Sequence, residues 1–367
     1  MLGVYVHIPF CERKCSYCAF SSFVSSEVEQ EKYINSLIQE IEDFAKCEKR
    51  EIDTIYIGGG TPSLLSINLM QKLIKTLKDN FIWHDNLEFT IEANPNSISQ
   101  DKLSFYKECG INRISIGVQS LDDDKLKTIG RLHSAEDAIN AVKLAGKYFQ
   151  NISVDMLIGL PNMNIKVFLK EIEYLTSLNV NHVSAYMLQV EDGTPLARKV
   201  KCNNAYLPDD DESVLAYEEM SKLLKEKGFE RYEVSNFAKE NFCSRHNFKY
   251  WTGEDYIGFG LSAHSYINGT RWANSKNFEK YYHRKIDMKE KLSFQQLIEE
   301  HIMLGLRCCH GIDKTYLVNL GYNIDENQHL KDFIEKGIIR QNYDKNRLYL
   351  NPDFYGVNNY IIVHLLP

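Results

Sequence analysis

Short apolar runs rich in β-branched residues alternate with amphipathic stretches over the first two-thirds of the chain. The apolar runs predict six strands at residues 4–8, 54–57, 87–92, 113–118, 152–157 and 182–186. Stretches with a helical period separate them: one covers residues 29–44, and others follow Ser66, Ser99 and Ser134, a residue type that caps helices. Strand–helix alternation of this kind predicts βαβ units and a parallel sheet.

Six such units predict an α/β fold, a partial (β/α)6 barrel that is open on one side. In parallel barrels the functional side chains lie at the carboxyl ends of the strands. Cysteines and polar residues that directly follow a predicted strand are therefore the first candidates for function.

After about residue 200 the pattern changes. An acidic turn at 208–212 predicts the start of a helix that runs to Lys227. Residues 244–275 are rich in aromatic residues, glycine and histidine and predict a long irregular segment, a feature that is often functional. The predicted division is a barrel over residues 1–235, an aromatic and histidine-rich loop region at the barrel mouth over 236–290, and a mostly helical, winged-helix-like domain with a small wing over 291–367.

The composition fits a soluble globular protein, since 44% of the 367 residues are hydrophobic and 25% are charged. The net charge of −7, without a basic stripe, argues against a nucleic-acid partner even though winged helices can bind DNA. No apolar run reaches the ~18 residues that span a bilayer, and the first strand follows Met1 too closely for a signal peptide. The nine cysteines are irregularly spaced, which indicates a reducing compartment and predicts a cytoplasmic protein.

Cys11, Cys15 and Cys18 form a C-x3-C-x2-C pattern directly after the first predicted strand. Three thiolates at this spacing can hold three irons of a 4Fe-4S cluster from one loop. Because such clusters normally take four thiolates, the fourth iron is left for a small chelating ligand. The amino and carboxylate groups of S-adenosylmethionine (SAM) can chelate that iron, and an electron from the cluster can then cleave SAM to a radical. A zinc site completed by His7 is an alternative that spacing alone does not exclude.

The other cysteines carry less information. Cys308 and Cys309 lie in an apolar stretch with a helical pattern, which predicts core packing. Cys47, Cys109 and Cys202 have no partner that the sequence assigns.

Further candidates follow the other predicted strands. The run at 58–62 (GGGTP) follows the second strand, where its glycines let the backbone approach a ligand closely, although the same run suits a tight turn. Glu92, Gln119, Arg131 and Asp155 lie at or just beyond strand ends. Each of them suits a satisfied polar group in a barrel. Together on one face they suit a cofactor with ribose, amine and carboxylate groups, and Arg131 is placed to bind the carboxylate as a fork.

As a set these stretches resemble the radical-SAM superfamily and, more narrowly, the oxygen-independent coproporphyrinogen III oxidase family. The resemblance is carried by residues 7–11, 15–18, 58–62, 92–95, 117–120, 155–161, 193–195 and 232–238, and it continues into the C-terminal region. It implies that Cys11, Cys15 and Cys18 ligate the cluster. It also implies a set of SAM contacts, namely Tyr5, Tyr17, Gly59, Gly60, Thr61, Glu92, Gln119, Arg131, Asp155 and Met187. It assigns no catalytic residue.

Two departures distinguish the chain from the oxidase of that family, which converts two propionates of a porphyrinogen to vinyls. The oxidase has a fourth cysteine two positions after the third, where this chain has Phe20, and an N-terminal extension, whereas this chain begins at the first strand. Both features are similar to the heme-chaperone branch of the family, which is associated with binding heme and passing it to acceptor proteins. Coproporphyrinogen oxidase activity is therefore not expected.

The heme-chaperone branch typically carries an H-N-x-x-Y motif, which is present here at residues 246–250. His246 and Tyr250 are the predicted heme ligands, because histidine and tyrosine both serve as axial ligands and the neighbouring aromatic residues suit stacking on a macrocycle. His264 and Cys243 are further candidates. The alternative is that these side chains brace the segment against the barrel mouth.

Two functions from different classes follow. A heme chaperone binds a cluster, SAM and heme, and transfers heme to an acceptor heme protein, which can be membrane-associated although this chain has no membrane segment. A radical-SAM oxidase instead decarboxylates coproporphyrinogen III or a related tetrapyrrole. Radical-SAM modification of RNA has little support, because the chain is acidic and has no recognisable RNA-binding module. In the family that the chain resembles, cluster binding is linked to formation of a homodimer, but the sequence leaves open the oligomeric state of this chain and whether SAM is cleaved.

Overall fold

The computed structural model describes residues 1–46, 49–202 and 205–367. The strands are β1 (Leu2–Ile8), β2 (Glu51–Gly59), β3 (Ile82–Ala93), β4 (Arg113–Gln119), β5 (Asn151–Ile158), β6 (His182–Met187), β7 (Glu230–Arg231), β8 (Asn236–Ala238), β9 (Tyr256–Phe259), β10 (His264–Ile267), β11 (Thr270–Asn274), β12 (Ile286–Lys291), β13 (Ile312–Asp313), β14 (Ile339–Asn342) and β15 (Arg347–Leu350). The helices are α1 (Glu27–Ala45), α2 (Ile67–Asn80), α3 (Gln100–Glu108), α4 (Asp123–Thr128), α5 (Ala135–Ala145), α6 (Ile165–Ser177), α7 (Pro195–Lys201), α8 (Asp210–Glu226), α9 (Arg245–Thr252), α10 (Phe278–Tyr282), α11 (Phe294–Gly305), α12 (Lys314–Asn319), α13 (Leu330–Glu335) and α14 (Asn358–Leu365). Cys47, to which the sequence assigned no partner, lies outside the described residues.

The main sheet is built on parallel neighbours. Among the described residues it has twelve strands in the order β12-β11-β10-β9-β1-β2-β3-β4-β5-β6-β8-β7. From β1 to β6 each strand is parallel to the next, and helices connect them. Each of the six predicted strands lies inside an observed one, so the partial α/β barrel is confirmed.

Serine residues begin several barrel helices, as the sequence predicted. Ser66 caps α2, Ser99 caps α3 and Ser134 caps α5, and each side chain accepts a backbone N–H of the first turn. At α5 the Asp137 carboxylate also accepts the Ser134 backbone N–H at 2.8 Å, which completes a capping box. The buried faces of these helices pack on the sheet in one continuous apolar core.

Strand β1 is paired on both edges, because it is parallel to β2 on one side and to β9 on the other. Its carboxyl end is also held by Tyr33 of α1, a fully buried side chain. The Tyr33 hydroxyl donates to His7 O at 2.7 Å and accepts the Leu261 N–H at 2.9 Å. The backbone that leads into the cysteine loop is therefore fixed from three directions.

The prediction of a long irregular segment over residues 244–275 is wrong. The segment forms α9 and then β9, β10 and β11, which continue the sheet beyond β1. The pairing of β9 with β1 is parallel, whereas β10 to β12 add antiparallel strands. These strands are short and their composition resembles that of loops. They form because β9 pairs with the free edge of β1 and β10 and β11 then pair in turn, a tertiary effect that local sequence does not show.

Helix α9 lies at the end of the barrel opposite to the cysteine loop. A Cβ on Gly3, near the start of β1, would lie 3.4 Å from His246 Cε1 and 2.8 Å from Lys249 Cδ. Glu88 of β3 accepts the backbone N–H groups of Arg245 and His246 at 2.8 and 2.9 Å, which neutralises the amino end of the helix. The expected placement at the barrel mouth does not hold for α9, because its polar partners Thr54 and Glu88 precede the cavity-lining residues of β2 and β3.

The C-terminal region has its own apolar core. Residues between Ile298 and Leu365 form a second buried cluster. Strands β13, β15 and β14 form a small sheet, and the hairpin of β14 and β15 that follows α13 corresponds to the expected wing. The boundaries at residues 235 and 290 stay predictions. In the part of the chain that the structure describes, no helix has the length and apolar character needed to cross a membrane.

The two adjacent cysteines of this region are not helical. Helix α11 ends at Gly305, after which Cys308 forms an isolated bridge with Glu233. Cys308 is 2% exposed, whereas Cys309 is exposed. The helical prediction is wrong at this point because the chain turns to pair with the barrel, and core packing holds for Cys308 but not for Cys309.

Candidate functional site

One large cavity opens at the carboxyl ends of the parallel strands. Its volume is about 1560 Å³, and its lining includes the three loop cysteines with nine of the ten expected SAM contacts: Tyr17, Gly59, Gly60, Thr61, Glu92, Gln119, Arg131, Asp155 and Met187. Tyr5 lies outside the lining, with its hydroxyl 2.9 Å from His7 Nδ1. The predicted site residues, which lie in or directly after six different strands, therefore meet at one place, as a parallel barrel requires.

The cysteine loop is anchored by backbone hydrogen bonds. The Cys11 N–H donates to Phe23 O at 2.9 Å, and the Ser16 N–H donates to Ile129 O at 2.9 Å. The three thiols line one cavity, but within the described ranges no three His, Cys, Asp or Glu side chains are grouped closely enough to hold a single metal ion. The loop thus places three sulfur donors beside the cavity on an anchored backbone.

His7, the candidate fourth ligand of a zinc site, is engaged elsewhere. Its Nδ1 lies 2.9 Å from the Tyr5 hydroxyl, and its Nε2 lies 3.2 Å from Ser21 O. The side chain is buried, and burial lowers the pKa of its imidazole. Since both ring nitrogens have partners within the protein, the arrangement favours a cluster on three thiolates over a zinc site.

A chain of hydrogen bonds connects Cys11 with Cys15. Thr61 Oγ1 lies 3.7 Å from Cys11 Sγ, and Asn94 Nδ2 donates to Thr61 Oγ1 at 2.8 Å. Arg131 Nη2 donates to Asn94 Oδ1 at 2.6 Å, while its Nη1 lies 3.6 Å from Cys15 Sγ. Donors directed at the sulfurs stabilise thiolates and tune a bound cluster, so this donor set fits a 4Fe-4S cluster.

The same contacts revise the expected role of Arg131. Its Nη2 also donates to Gly117 O at 2.6 Å, so the guanidinium is held by the protein from three sides. A ligand carboxylate that forms a fork with Arg131 has to displace one of these contacts. Asn94, which the sequence reasoning did not single out, is the link in this chain; the signal was its position two residues after Glu92, before Pro95.

The glycines at the end of β2 and directly after it serve the protein's own packing. A Cβ on Gly60 would lie 2.6 Å from Phe10 O and 2.9 Å from Cys11 Sγ. Gly59 has a φ of 119°, and its N–H donates to Glu92 Oε2 at 3.0 Å. The turn can lie directly against the cysteine loop only because these two residues have no side chain.

Two carboxyl groups face the cavity. Glu92 accepts from the Tyr56 hydroxyl at 2.8 Å and from the Gly59 N–H, and burial raises the pKa of its carboxyl to about 7. Asp155 accepts from Ser115 Oγ at 3.1 Å, and burial also raises the pKa of its carboxyl. The site can therefore accept hydrogen bonds from hydroxyl or ammonium groups of a ligand, and the charge of Glu92 changes near neutral pH.

Gln119 is held in an unusual backbone conformation at the end of β4. Its φ is 70° and its side chain is buried, whereas residues with a Cβ rarely adopt this left-handed region. A Cβ on the nearby Gly117 would lie 3.0 Å from Gln119 Nε2. Strain of this kind is concentrated at functional sites, where surrounding contacts maintain it.

The structure separates the expected heme ligands from this cavity. His246 is fully buried, and its Nδ1 and Nε2 lie 2.8 Å from Thr54 Oγ1 and 2.9 Å from the Tyr250 hydroxyl. Its ring is stacked with Tyr56 at a centroid distance of 5.4 Å. Burial lowers the pKa of His246 to about 3, so the ring is neutral. An iron atom can bind this histidine only after one of the two hydrogen bonds is released.

The two further heme candidates lie in different settings. His264 is exposed at the start of β10. Cys243 is half-buried just before α9, and burial raises the pKa of its thiol to about 11. Neither side chain lines the cavity.

A parallel barrel with a C-x3-C-x2-C loop after its first strand defines the class of protein. The family model of the Radical SAM superfamily matches residues 5–175. Among curated relatives, the heme chaperone HemW of Bacillus subtilis (strain 168) is 37% identical over 92% of this chain and 93% of its own. HemW of Escherichia coli (strain K12) is 38% identical over 72% of this chain and 70% of its own. The chain belongs to the HemW family of the radical SAM superfamily.

A solved structure supports the fold independently. Coproporphyrinogen III oxidase (HemN) from Escherichia coli superposes with a TM-score of 0.85, covering 100% of this chain and 90% of that one. The sequence identity is 21%, so this likeness shows the shared fold.

We expect Gly60→Ala to lose most of its reconstituted cluster and about 1–3 kcal/mol of folding stability, because the new Cβ overlaps Phe10 O and Cys11 Sγ. The visible absorbance of the anaerobically reconstituted protein and urea unfolding measure the two effects. Gly146→Ala is the matched control, since its Cβ has 3.5 Å as its nearest contact. A Gly60→Ala protein with a full cluster would contradict this packing argument.

We expect Glu92→Gln to stabilise the ligand-free protein more at pH 8 than at pH 5. A carboxyl with a folded-state pKa of about 7 stays protonated where the unfolded chain already ionises, so its cost to folding grows from about pH 4.5 to pH 7. The gain from substitution should reach roughly 1–3 kcal/mol at pH 8. Urea unfolding at both pH values tests this, with the exposed Glu240→Gln as control. An equal effect at both pH values would exclude the raised pKa.

Proposed function

We propose that the protein is a heme chaperone that binds a 4Fe-4S cluster, SAM and heme and transfers heme to an acceptor heme protein. The observation that carries the proposal is the 37% sequence identity of this chain, over nine-tenths of both chains, with a protein named heme chaperone HemW. The proposal includes a cytoplasmic location, a homodimer, and an acceptor that can be membrane-associated.

The cysteine loop is the proposed cluster site. Cys11, Cys15 and Cys18 would hold three irons of the cluster, and the fourth iron would be left for the amino and carboxylate groups of SAM. When bound, the cluster supplies an electron that can cleave SAM. The protein's own part is to hold the sulfurs through Thr61 and Arg131 and to offer the Glu92 and Asp155 carboxyls to the polar groups of SAM.

Phe20 supports a chaperone over an oxidase. It stands two positions after Cys18, where the resemblance implies a cysteine in the oxidase, and it is 72% exposed while lining the cavity. A phenyl ring offers no ligand and no proton donor to a tetrapyrrole there. The likeness to coproporphyrinogen III oxidase extends to the fold, and oxidase activity remains the alternative to be tested.

His246 and Tyr250 are the proposed heme ligand region. The Tyr250 hydroxyl is hydrogen-bonded to Nε2 of His246, so the pair has to separate if iron binds at this nitrogen. A neutral imidazole suits this task, because a ligand nitrogen must be unprotonated to bind a metal.

We expect the reconstituted protein, with SAM and a reductant, to form no divinyl product from coproporphyrinogen III, and to bind heme. Heme-loaded protein should then transfer heme to apomyoglobin at a rate that rises with apomyoglobin concentration, which indicates direct transfer. Chromatography of tetrapyrroles and stopped-flow absorbance measure the two parts. Divinyl product at catalytic levels would make the protein an oxidase, and an absence of heme binding would exclude a chaperone.

We expect His246→Ala to weaken heme binding by at least about tenfold, while Tyr250→Phe retains it or tightens it by removing the competing hydroxyl. Absorbance titration with heme measures both. Tyr256→Phe, whose ring contacts Tyr250 at a centroid distance of 4.7 Å, is the neighbouring control. Loss of binding in Tyr250→Phe alone would assign the ligand to Tyr250, and wild-type binding in His246→Ala would remove His246 from the site.

A further inference from the structure

The cavity extends well beyond the residues expected to contact SAM. It continues between α8, β7 and the C-terminal sheet, and we call this part the outer chamber; its lining includes Tyr217, Arg231, Arg307, Arg340 and Tyr355. The whole cavity, at about 1560 Å³, exceeds the roughly 300–1,000 Å³ typical of a site for one small ligand. There is consequently room for a second ligand beside SAM.

Three arginines of the outer chamber have neutral partners. Arg307 Nη2 donates to Asn359 Oδ1 at 2.8 Å, and Arg340 Nη2 donates to Asn351 Oδ1 at 2.8 Å. Arg231 donates to the hydroxyl of Tyr217 at 3.2 Å and to a backbone carbonyl at 2.7 Å. In the described ranges none of the three forms an ion pair with a carboxylate, although Glu218, Glu230 and Asp353 also line the chamber.

These guanidinium groups favour an anionic ligand. Arginine stays protonated, and burial lowers the pKa of Arg307, which shows that its charge is partly desolvated without a counter-ion. The fork of donors on a guanidinium matches a carboxylate in a bidentate manner. A ligand carboxylate at Arg307 or Arg340 would therefore supply the charge that the protein itself does not.

The chamber also offers a flat aromatic surface. The Arg231 guanidinium lies 3.9 Å from the ring centroid of Tyr355, and Tyr217 and Tyr349 line the same space. Stacked aromatic and guanidinium planes suit a planar, largely apolar ligand. The two properties together describe a flat macrocycle with two carboxylates at its edge.

We propose that the outer chamber binds the tetrapyrrole cargo by its two propionates, one at Arg307 and one at Arg340. This inference rests on the proposed function, from which it takes the cargo. It adds a second binding station on the cavity side, next to the cluster and SAM residues and away from His246 at the far end of the barrel. Heme at this station is held by charge rather than by the histidine.

Titrations with iron protoporphyrin IX and with its dimethyl ester, whose carboxylates are blocked, test the proposal. Wild-type cluster-reconstituted protein should bind the free acid more tightly than the ester. Arg307→Gln/Arg340→Gln should weaken binding of the free acid by about tenfold for each arginine and leave the ester unchanged. Arg198→Gln/Lys331→Gln, which removes two exposed charges outside the cavity, is the matched control and should behave as wild type.

The outcomes separate this inference from the proposed function. If the wild-type protein binds the free acid and the dimethyl ester with equal affinity, the propionate contacts are overturned without any variant. They are also overturned if the Arg307→Gln/Arg340→Gln variant keeps the wild-type preference for the free acid over the ester. In both cases heme binding itself still supports the chaperone. Absence of heme binding in wild type overturns both. The cluster absorbance and the urea midpoint of the double variant report whether it is folded, and the two single variants give the same comparison if it is not.

Discussion

The pairing of β1 on both of its edges is the constraint on which the rest of the site depends. Hydrogen bonds to β2 and β9 fix the strand. From α1, the Tyr33 hydroxyl also donates to the backbone carbonyl of His7 near the carboxyl end of β1. Cys11 therefore leaves the sheet from a defined point. From there Thr61, Asn94 and Arg131 extend the constraint to Cys15, so the sulfur positions are set jointly by the ends of neighbouring strands.

The barrel could be predicted because the sequence signals for its strands and helices lie within short segments of the chain. A buried parallel strand reads as a short β-branched run, and the serine caps mark where helices begin, as Ser134 shows at α5. Strands β9 to β11 could not be predicted in the same way. They are short and rich in glycine and aromatic residues, and they exist because β1 offers an edge; Cys308 likewise leaves the helix to pair with Glu233.

The candidate site likewise has features that the local sequence predicts and features that depend on the folded structure. Spacing and position after strands pointed to the three cysteines and to Glu92, Gln119, Arg131 and Asp155, all of which line the cavity, since the chain's topology brings strand ends together. Side-chain partners were not accessible from the sequence. Asn94 was missed as a link, and Arg131, expected to be free for a ligand carboxylate, is held by Asn94, Gly117 and Cys15. Which end of the barrel receives the 246–250 motif is a property of the whole fold.

The buried arrangement of His246 has a consequence for how such chains can diverge. Thr54 and Tyr250 each satisfy one ring nitrogen of this histidine, and Glu88 satisfies its backbone N–H. Replacement of any one leaves another polar group buried without a partner, which costs about 1–3 kcal/mol. Substitutions at these positions are therefore not independent events. In descendants of this chain they should be fixed together or not at all, so that a sequence alignment would show positions 54, 88, 246 and 250 changing as one unit.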